Sequence, residues 1–338
     1  MNKLTQQYRW LVTGCAGFIG SNLVESLLEN NQMVIGIDNL STGFKTNLDD
    51  ALSKLSDVRK RNFKFINGDI LDRELCIKSA VNIDFVLHQA ALGSVPRSIE
   101  NPVATHEANV NGFLNILEAS RLQGIKRLVY ASSSSVYGDI EDSPKKEELI
   151  GKPLSPYAVS KLTNELYAHV YAETYGLQTV GLRYFNVFGK RQNPAGAYAA
   201  VIPKWIYGMI EDNDIIVNGD GHTSRDFCVI DNVIKANVAT ALRTDYDMEN
   251  KVFNVACSQS TSLNDLYDLI KVSLTKNQIK TRSARIYEGF RKGDVRHSLA
   301  SIDKLRSSIP YEQPMSLVEG LDKYLPWYVD NWRQKNEK

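Results

Sequence analysis

The sequence has few of the residues that build metal sites or disulfide frameworks. Its 338 residues include 4 cysteines and 5 histidines. The histidines show no metal-ligand spacing, and no Cys-x-x-Cys pair occurs among Cys15, Cys76, Cys228 and Cys257. Scattered cysteines are typical of reduced thiols in a cytoplasmic protein. We therefore expect a cytoplasmic location and no bound metal ion.

Long apolar runs and an excess of charge of one sign are also missing. No apolar run reaches the roughly 18 residues of a membrane-spanning helix, and the first ten residues, MNKLTQQYRW, lack the apolar core of a signal peptide. The 40 basic and 39 acidic residues leave a formal net charge of +1. This balance gives no electrostatic reason to expect a nucleic-acid or membrane partner.

What the sequence does contain is a regular alternation of apolar, β-prone runs with helical patterns. The strand candidates are YRWLVTG, QMVIGID, NFKFINGD, NIDFVLHQAA, IKRLVYASSS and LQTVGLRYF. This order predicts an α/β fold with a Rossmann-type, doubly wound parallel sheet, whose strands are apolar because helices cover both faces. We predict a first domain over residues 1–186, with a return segment near 227–260, and a smaller C-terminal α/β substrate lobe over 187–338.

The first strand candidate runs into a glycine-rich segment, GCAGFIG. Gly14 allows a tight turn, Gly17 lets the backbone approach a pyrophosphate, and Gly20 permits close packing of helix on strand. Asp38 ends the second strand, about twenty residues further on. Because a carboxylate there binds both ribose hydroxyls of NAD and repels the 2′-phosphate of NADP, the sequence predicts NAD as cofactor.

A second group of residues suggests acid–base chemistry. Tyr157 and Lys161 are four residues apart in a helical pattern, so their side chains share one helix face. This helix follows the fifth strand and returns to the carboxyl edge of the sheet, where ligands bind. Since positive charge beside a tyrosine favours its phenolate, Tyr157 is the candidate general base near neutral pH. The fifth strand ends at the same edge in a serine run, ASSSSVYG.

Together these features resemble the extended short-chain dehydrogenase/reductases over essentially the whole chain. Longer motifs are similar to those of bacterial UDP-N-acetylglucosamine 4-epimerases, namely HQAALGSVPRS, SPYAVSK, LRYFNVFGKRQ, GAYAAVIPKW, NGDGHTSRDF and RKGDVRHS. The resemblance implies that C4 of a UDP-N-acetylhexosamine gives a hydride to tightly bound NAD, and that the 4-keto sugar turns over and regains it on the other face. Interconversion of UDP-GlcNAc and UDP-GalNAc would then supply surface polysaccharide precursors.

The resemblance also implies roles for individual residues. Ser133 would share the proton that Tyr157 removes, Lys161 would bind the nicotinamide ribose, and Tyr137 would be structural. With Gly14, Gly17, Gly20, Tyr157 and Lys161, the implied NAD contacts are Phe18, Ile19, Asp38, Asn39, Leu40, Ser41, Thr42, Gly43, Asp69, Ile70, Gln89, Ala90, Ala91, Asn109 and Phe185.

The implied UDP-sugar contacts lie mostly in the C-terminal lobe. Arg225 and Arg291 would clamp the diphosphate with forked donors, and Asp294 would accept from the uridine ribose. Ser298 is small and leaves room for an acetamido group. The full set is Ser94, Ser132, Ser133, Ser134, Tyr157, Asn186, Val201, Lys204, Asn218, Arg225, Arg291, Asp294 and Ser298. A homodimer is expected through the long helices after the fourth and fifth strands.

Other functions remain open at this point. Arg97 could pair with a C6 carboxylate, which favours a UDP-N-acetylglucosaminuronic acid 4-epimerase. A nucleotide-sugar 4,6-dehydratase would need an Asp-Glu pair within the serine run, and neither it nor a uronic-acid decarboxylase finds its site acids there. A non-catalytic NAD-sensing regulator would have no use for a base such as Tyr157.

Overall fold

The computed structural model describes residues 4–194, 199–243, 251–290, 295–311 and 313–336. Its strands in chain order are β1 (Arg9–Thr13), β2 (Met33–Asp38), β3 (Phe63–Asn67), β4 (Phe85–His88), β5 (Arg127–Ser133), β6 (Thr179–Tyr184), β7 (Val187–Phe188), β8 (Ile215–Asn218), β9 (Ser224–Arg225), β10 (Cys228–Val229), β11 (Lys251–Val255), β12 (Thr261–Ser262), β13 (Arg285–Glu288) and β14 (His297–Ser298).

The helices cover both faces of the main sheet and fill the C-terminal lobe. They are α1 (Phe18–Glu29), α2 (Lys45–Ser53), α3 (Asp57–Lys60), α4 (Arg73–Ser79), α5 (Val95–Glu100), α6 (Pro102–His106), α7 (Gly112–Leu122), α8 (Pro156–Tyr175), α9 (Val201–Ile210), α10 (Ile230–Leu242), α11 (Leu263–Lys276), α12 (Asp303–Ser308) and α13 (Leu317–Asn336). A π-helical segment joins α6 to α7, and a 3₁₀ turn follows β5.

Seven strands form one parallel sheet in the order β11-β6-β5-β4-β1-β2-β3. The order reverses between β1 and β4, which makes a topological switch point at the carboxyl edge, where ligands of such sheets bind. The predicted Rossmann-type fold class is confirmed. The seventh strand, β11, comes from the segment that the sequence suggested would return to the first domain.

The sheet is buried on both faces, as its nearly continuous apolar strands predict. In β5, Val129 and Ala131 face the core cluster that contains α1 and α10, whereas Leu128 and Tyr130 face the cluster that contains α7. This strict alternation follows from the two-residue period of a strand. It fixes which side chains at the end of β5 point toward each layer.

The C-terminal lobe is built from α9, the parallel pair β8 and β13, α11 and a three-stranded sheet in the order β12-β9-β14. Strand β14 pairs with β9 so that Ser298 lies opposite Arg225. Two residues far apart in sequence, one expected to size the sugar and one expected to bind phosphate, are thus neighbours. In the ranges described above, no helix is long and apolar enough to cross a membrane.

A buried ion pair joins α8 to the sheet. Helix α8 begins after Ser155, whose side chain accepts from the Ala158 N–H. Its Glu165 receives two hydrogen bonds from the Arg183 guanidinium of β6, at 2.9 and 2.8 Å. The two side chains are 7% and 2% exposed. Ser132 of β5 also donates to Glu165, so one carboxylate connects α8, β5 and β6.

We expect Arg183→Met to lower the free energy of unfolding by about 3–5 kcal/mol, because it leaves the Glu165 carboxylate buried without a counter-charge. Urea denaturation followed by circular dichroism measures the change. As a control, Lys78→Met breaks the exposed Lys78–Glu74 pair and should cost about 0.5 kcal/mol or less. Equal effects of the two substitutions would contradict a structural role for the buried pair.

Candidate active site

The glycine loop after β1 has the close backbone approaches that its sequence predicts. Gly14 has a left-handed φ of 68°, and its N–H donates to the Ile37 carbonyl at 2.8 Å. A Cβ at Gly14 would lie 2.7 Å from the Ala90 nitrogen, and one at Gly20 would lie 2.0 Å from the Gly14 oxygen. Neither position has space for a side chain, so both glycines are needed to bring α1 against the sheet.

The N-terminus of α1 is open toward the same edge. The residue that precedes the helix is Gly17, and no side chain caps the first turn. Exposed N–H groups at a helix N-terminus, together with the helix dipole, form a binding site for a phosphate. The side chains of Phe18 and Ile19 pack against the core, so these residues offer their backbone N–H groups to a ligand.

A cavity of about 300 Å³ lies beside this loop. Asp38 reaches it with both carboxylate oxygens fixed, since one accepts from the Ala16 N–H at 2.9 Å and the other from the Leu40 N–H at 2.8 Å. Asn39 donates to Asp69 at 2.7 Å on the opposite wall. Of the predicted cofactor residues, the cavity is lined by Gly14, Gly17, Asp38, Asn39, Ser41, Thr42, Gly43, Asp69, Ile70, Gln89, Ala90 and Ala91. The cavity, the uncapped helix and the fixed carboxylate fit a dinucleotide.

Two predicted cofactor contacts lie elsewhere. Asn109 is fully buried, and its side-chain amide binds both the N–H and the carbonyl of Leu92 and donates to Ser160. It therefore holds the loop after β4 in place. Phe185 is also fully buried and packs on Tyr137. Neither residue lines the dinucleotide cavity, and their contact with NAD stays a prediction. Leu40 packs partly buried against the main core.

The predicted catalytic residues meet where β5 ends. The Ser133 side chain lies close enough to Tyr157 to lower the pKa of its phenol, and the Ser133 hydroxyl accepts from the Ser135 hydroxyl at 2.9 Å. The Lys161 ammonium is buried, donates to the Ala131 carbonyl at 2.9 Å and lies 5.9 Å from the centre of the Tyr157 ring. The structure thus brings Ser133, Tyr157 and Lys161 into one cluster at the carboxyl edge of the sheet.

In the chain alone, burial dominates the protonation states of this cluster. Burial raises the pKa of Tyr157, and the neighbouring Ser133 side chain only partly offsets it. Burial also lowers the pKa of Lys161 to about 8. The pKa of His88 is lowered to about 3, mainly by burial and to a smaller extent by the charge of Lys161. The chain alone therefore keeps Tyr157 a phenol at neutral pH.

The other side chains of the segment ASSSSVYG have different environments. Ser132 is 2% exposed and its hydroxyl donates to the buried Glu165, and its contact with the sugar stays a prediction. Ser134 lines a cavity of about 610 Å³ that also contains Ser298. Tyr137 is 2% exposed, and its phenol donates to Asn254 at 2.7 Å.

Two adjoining cavities extend from this cluster into the C-terminal lobe. The larger, of about 610 Å³, is the one that contains Ser134 and Ser298, and the other, of about 270 Å³, is lined by Val201, Lys204 and Asn218. Asn186 and Arg225 line both. The pair of cavities therefore forms one elongated site. We call the larger one the sugar cavity and the smaller one the nucleotide cavity.

Residues at the rim of this site complete the comparison with the sequence. Asn186 has a left-handed φ of 34° and donates to the Asp226 carbonyl at 3.1 Å. Strained backbone of this kind persists where surrounding structure fixes it. Ser94 is the N-cap of α5 and accepts from the Arg97 N–H. Arg291 and Asp294 lie outside the described residues.

One residue of this region escaped the sequence analysis. Asp226 is fully buried beside Arg225, and its carboxylate accepts from the Cys257 N–H at 2.9 Å and the Ala300 N–H at 3.2 Å. Burial raises its pKa to about 6 against the opposing effect of these N–H donors. It ties the strand of Arg225 to the segment of Ser298. The only signal in the sequence was an acid between an arginine and the apolar run FCVI.

We expect Tyr157 to show no phenolate at neutral pH in the protein without ligand, because burial raises its pKa above the ordinary value of 10.0. Subtracting the near-ultraviolet pH titration of Tyr157→Phe from that of the wild type isolates this group among the 16 tyrosines. Tyr137→Phe is the matched control, since burial raises the pKa of Tyr137 to about 12. A Tyr157 component that titrates near pH 7 would show that the chain alone activates the base.

Known proteins are similar to this chain in sequence. The family model of the NAD dependent epimerase/dehydratase family matches residues 10–256. A putative UDP-glucose 4-epimerase of Methanocaldococcus jannaschii is 38% identical over 96% of this chain and 99% of its own length.

Solved structures agree with the sequence relatives. The UDP-N-acetylglucosamine 4-epimerase of Methanobrevibacter ruminantium, in complex with UDP-N-acetylmuramic acid, is 36% identical with a TM-score of 0.87, covering 97% of this chain and 100% of its own. The UDP-glucuronic acid 4-epimerase of Bacillus cereus, with UDP-glucuronic acid and NAD, is 30% identical with a TM-score of 0.83, covering 96% and 99%. This chain therefore belongs to the NAD dependent epimerase/dehydratase family, and its cofactor is NAD.

Proposed function

We propose that this protein is an NAD-dependent UDP-N-acetylhexosamine 4-epimerase that interconverts UDP-GlcNAc and UDP-GalNAc. The observation that carries the proposal is the clustering of Ser133, Tyr157 and Lys161 at the carboxyl end of β5. Their neighbours Ser134 and Ala158 line the sugar cavity, and the dinucleotide cavity lies beside the glycine loop at the same edge of the sheet. Relatives named as UDP-sugar 4-epimerases support the same reaction class.

The reaction divides into steps that the chain's own residues can perform. Tyr157 takes the proton of the C4 hydroxyl while the C4–H bond breaks, and it returns the proton after the 4-keto sugar has turned over. Ser133, whose side chain lies next to Tyr157, shares that proton. Bound NAD supplies the hydride acceptor and donor, and a positive charge that favours the Tyr157 phenolate. On the sequence resemblance, we assign the nicotinamide ribose to the Lys161 ammonium, which donates to the Ala131 carbonyl.

The nucleotide end of the site has the donors that a diphosphate requires. Arg225 lines both cavities and Lys204 lines the nucleotide cavity, so two cationic side chains can bind phosphate oxygens. Asn218 and Val201 lie deeper along the same wall. On the sequence resemblance, we assign the remaining diphosphate and ribose contacts to Arg291 and Asp294.

The choice of an N-acetylated sugar rests on Ser298. Its side chain lines the sugar cavity from the strand paired with β9, and serine leaves space there that a tyrosine would fill. A uronic acid remains the second candidate, since a structural relative is a UDP-glucuronic acid 4-epimerase and Arg97 lies on α5, which contributes Val95 and Pro96 to the same cavity.

The structure supports the exclusion of dehydratase chemistry. A 4,6-dehydratase needs an acid and a base beside the sugar, but the serine run carries no carboxylate. The carboxylate that the run does contact, Glu165, is buried and bound by Arg183. It is therefore not available for proton transfer to a sugar. A regulator that only senses NAD would not require Ser133 beside Tyr157.

We expect the purified protein to convert UDP-GlcNAc to UDP-GalNAc without added NAD, and to act less well on UDP-glucose and UDP-N-acetylglucosaminuronic acid. Chromatographic separation of the epimers measures each rate.

Tyr157→Phe should lower kcat by about 10³-fold or more, because the base is lost, while NAD remains bound by the dinucleotide cavity.

Ser298→Tyr is the matched test of sugar size. It should reduce turnover of UDP-GlcNAc and spare UDP-glucose, because only the acetamido group competes with the ring for space. Preference of the wild type for the uronic acid would replace the proposed substrate by the second candidate. Net NADH accumulation in place of epimers would refute the epimerase.

We also propose that the protein is a homodimer. Helix α8 exposes Val159, Leu166 and Val170, which are 51%, 60% and 51% accessible. Their spacing of seven and four residues makes a stripe along one face. Val103 of the neighbouring α6 is 66% exposed beside it. An apolar surface on two adjacent helices fits a second copy of itself in a symmetric four-helix contact.

We expect Leu166→Glu to convert the dimer to monomers, because it places a charge at the centre of the apolar stripe. Size-exclusion chromatography with light scattering measures the mass. Val272→Glu, at a residue of α11 that is 54% exposed and outside the stripe, is the control and should leave the dimer intact. A monomeric wild type would refute this assembly.

A further inference from the structure

A buried lysine that neither the sequence motifs nor the proposed chemistry uses lines the sugar cavity. Lys145 is 4% exposed and shares the cavity wall with Ser134, Ser298 and Arg225. It lies in the segment between the 3₁₀ turn after β5 and helix α8. A lysine is rarely this buried unless its charge has a partner.

The backbone of Lys145 is fixed against the segment that follows Ser298. Its N–H donates to the Leu299 carbonyl at 2.7 Å, and its carbonyl accepts from Ser301 at 3.0 Å. The Asn254 amide donates to the same carbonyl at 3.0 Å. These bonds form a parallel bridge between Lys145 and Ala300. The side chain of Lys145 is therefore held beside the wall that carries Ser298, independently of any ligand.

The ammonium group of Lys145 is only partly satisfied. It donates to the Ile140 carbonyl, although an ammonium has three donors. Among the described residues, no ion pair joins Lys145 to a carboxylate. Burial lowers the pKa of Lys145, and the charges of Asp142 and Glu141 offset this effect only in part.

We propose that Lys145 is a specificity-determining residue whose ammonium donates to the carbonyl-type oxygen of a substituent on the substrate sugar. This inference rests on the proposed function and refines it. The acceptor is the acetamido oxygen of an N-acetylhexosamine or the carboxylate of a uronic acid, since either oxygen completes the hydrogen bonds of a buried ammonium. Glucose carries neither group. Ser298 then leaves space for the substituent of the sugar, and Lys145 donates a hydrogen bond to its oxygen.

Binding measurements test this inference without requiring turnover. Isothermal titration of the NAD-loaded protein with UDP, UDP-glucose, UDP-GlcNAc and UDP-glucuronic acid gives four dissociation constants for wild type and Lys145→Met. We expect Lys145→Met to weaken binding of UDP-GlcNAc, UDP-glucuronic acid or both by about 10- to 100-fold, as for loss of a charged hydrogen bond. Binding of UDP and UDP-glucose should not change.

Two further variants of Lys145 test whether binding needs its positive charge or only a hydrogen-bond donor. Lys145→Gln keeps a donor without charge, so it should preserve binding of the acetamido sugar more than that of the carboxylate sugar. Lys145→Arg should restore both. Lys152→Met, at an exposed position of the same segment, is the matched control and should change none of the four constants.

The outcomes distinguish this inference from the proposed function. Equal weakening for UDP and all three sugars would show that Lys145 only supports the loop of Ile140, and no weakening would also overturn the inference. If the wild type binds UDP-sugars as described but forms no epimer, the proposed function fails while the role of Lys145 stands. If the wild type binds none of them, both fail.

Discussion

One face of helix α8 contacts three consecutive residues at the end of β5, and the candidate active site depends on this contact. Tyr157 lies next to Ser133, Lys161 donates to the Ala131 carbonyl, and Glu165 accepts from Ser132. The three helical residues are four apart, so they lie above one another on one face. The same spacing that aligns the base with its lysine therefore also anchors the helix to the strand.

A buried ion pair attaches helix α8 to the sheet, and Tyr157 lies at the other end of the same row of side chains. Glu165 is held by Arg183 of β6, so strand β5 is fixed on the side away from the ligand. Tyr157, one end of the same row, has a raised pKa because it is buried. Burial thus keeps the phenol of Tyr157 protonated in the chain alone, and a positive charge that enters the site would favour its phenolate. In the proposed reaction, acid–base chemistry would therefore depend on occupancy of the dinucleotide cavity.

The substrate side is assembled differently, from short segments distant in sequence. Asp226 accepts backbone N–H groups from Cys257 and Ala300, and β14 places Ser298 opposite Arg225. Lys145 joins this assembly through its bridge to Ala300. The residues proposed to bind phosphate, to limit the size of the sugar and to contact its substituent therefore share one small framework.

The sequence by itself determined the sheet, the glycine loop and the pairing of Tyr157 with Lys161, because period-two and period-four patterns are local properties of strands and helices. The sugar contact of Ser132 came only from the family resemblance, and its hydrogen bond to Glu165 joins segments that are distant in sequence. Only the tertiary structure decided that Asn109 and Phe185 are buried, and that Asp226 and Lys145 belong to the site. Burial and long-range hydrogen bonds depend on which segments meet, and no local pattern contains that information.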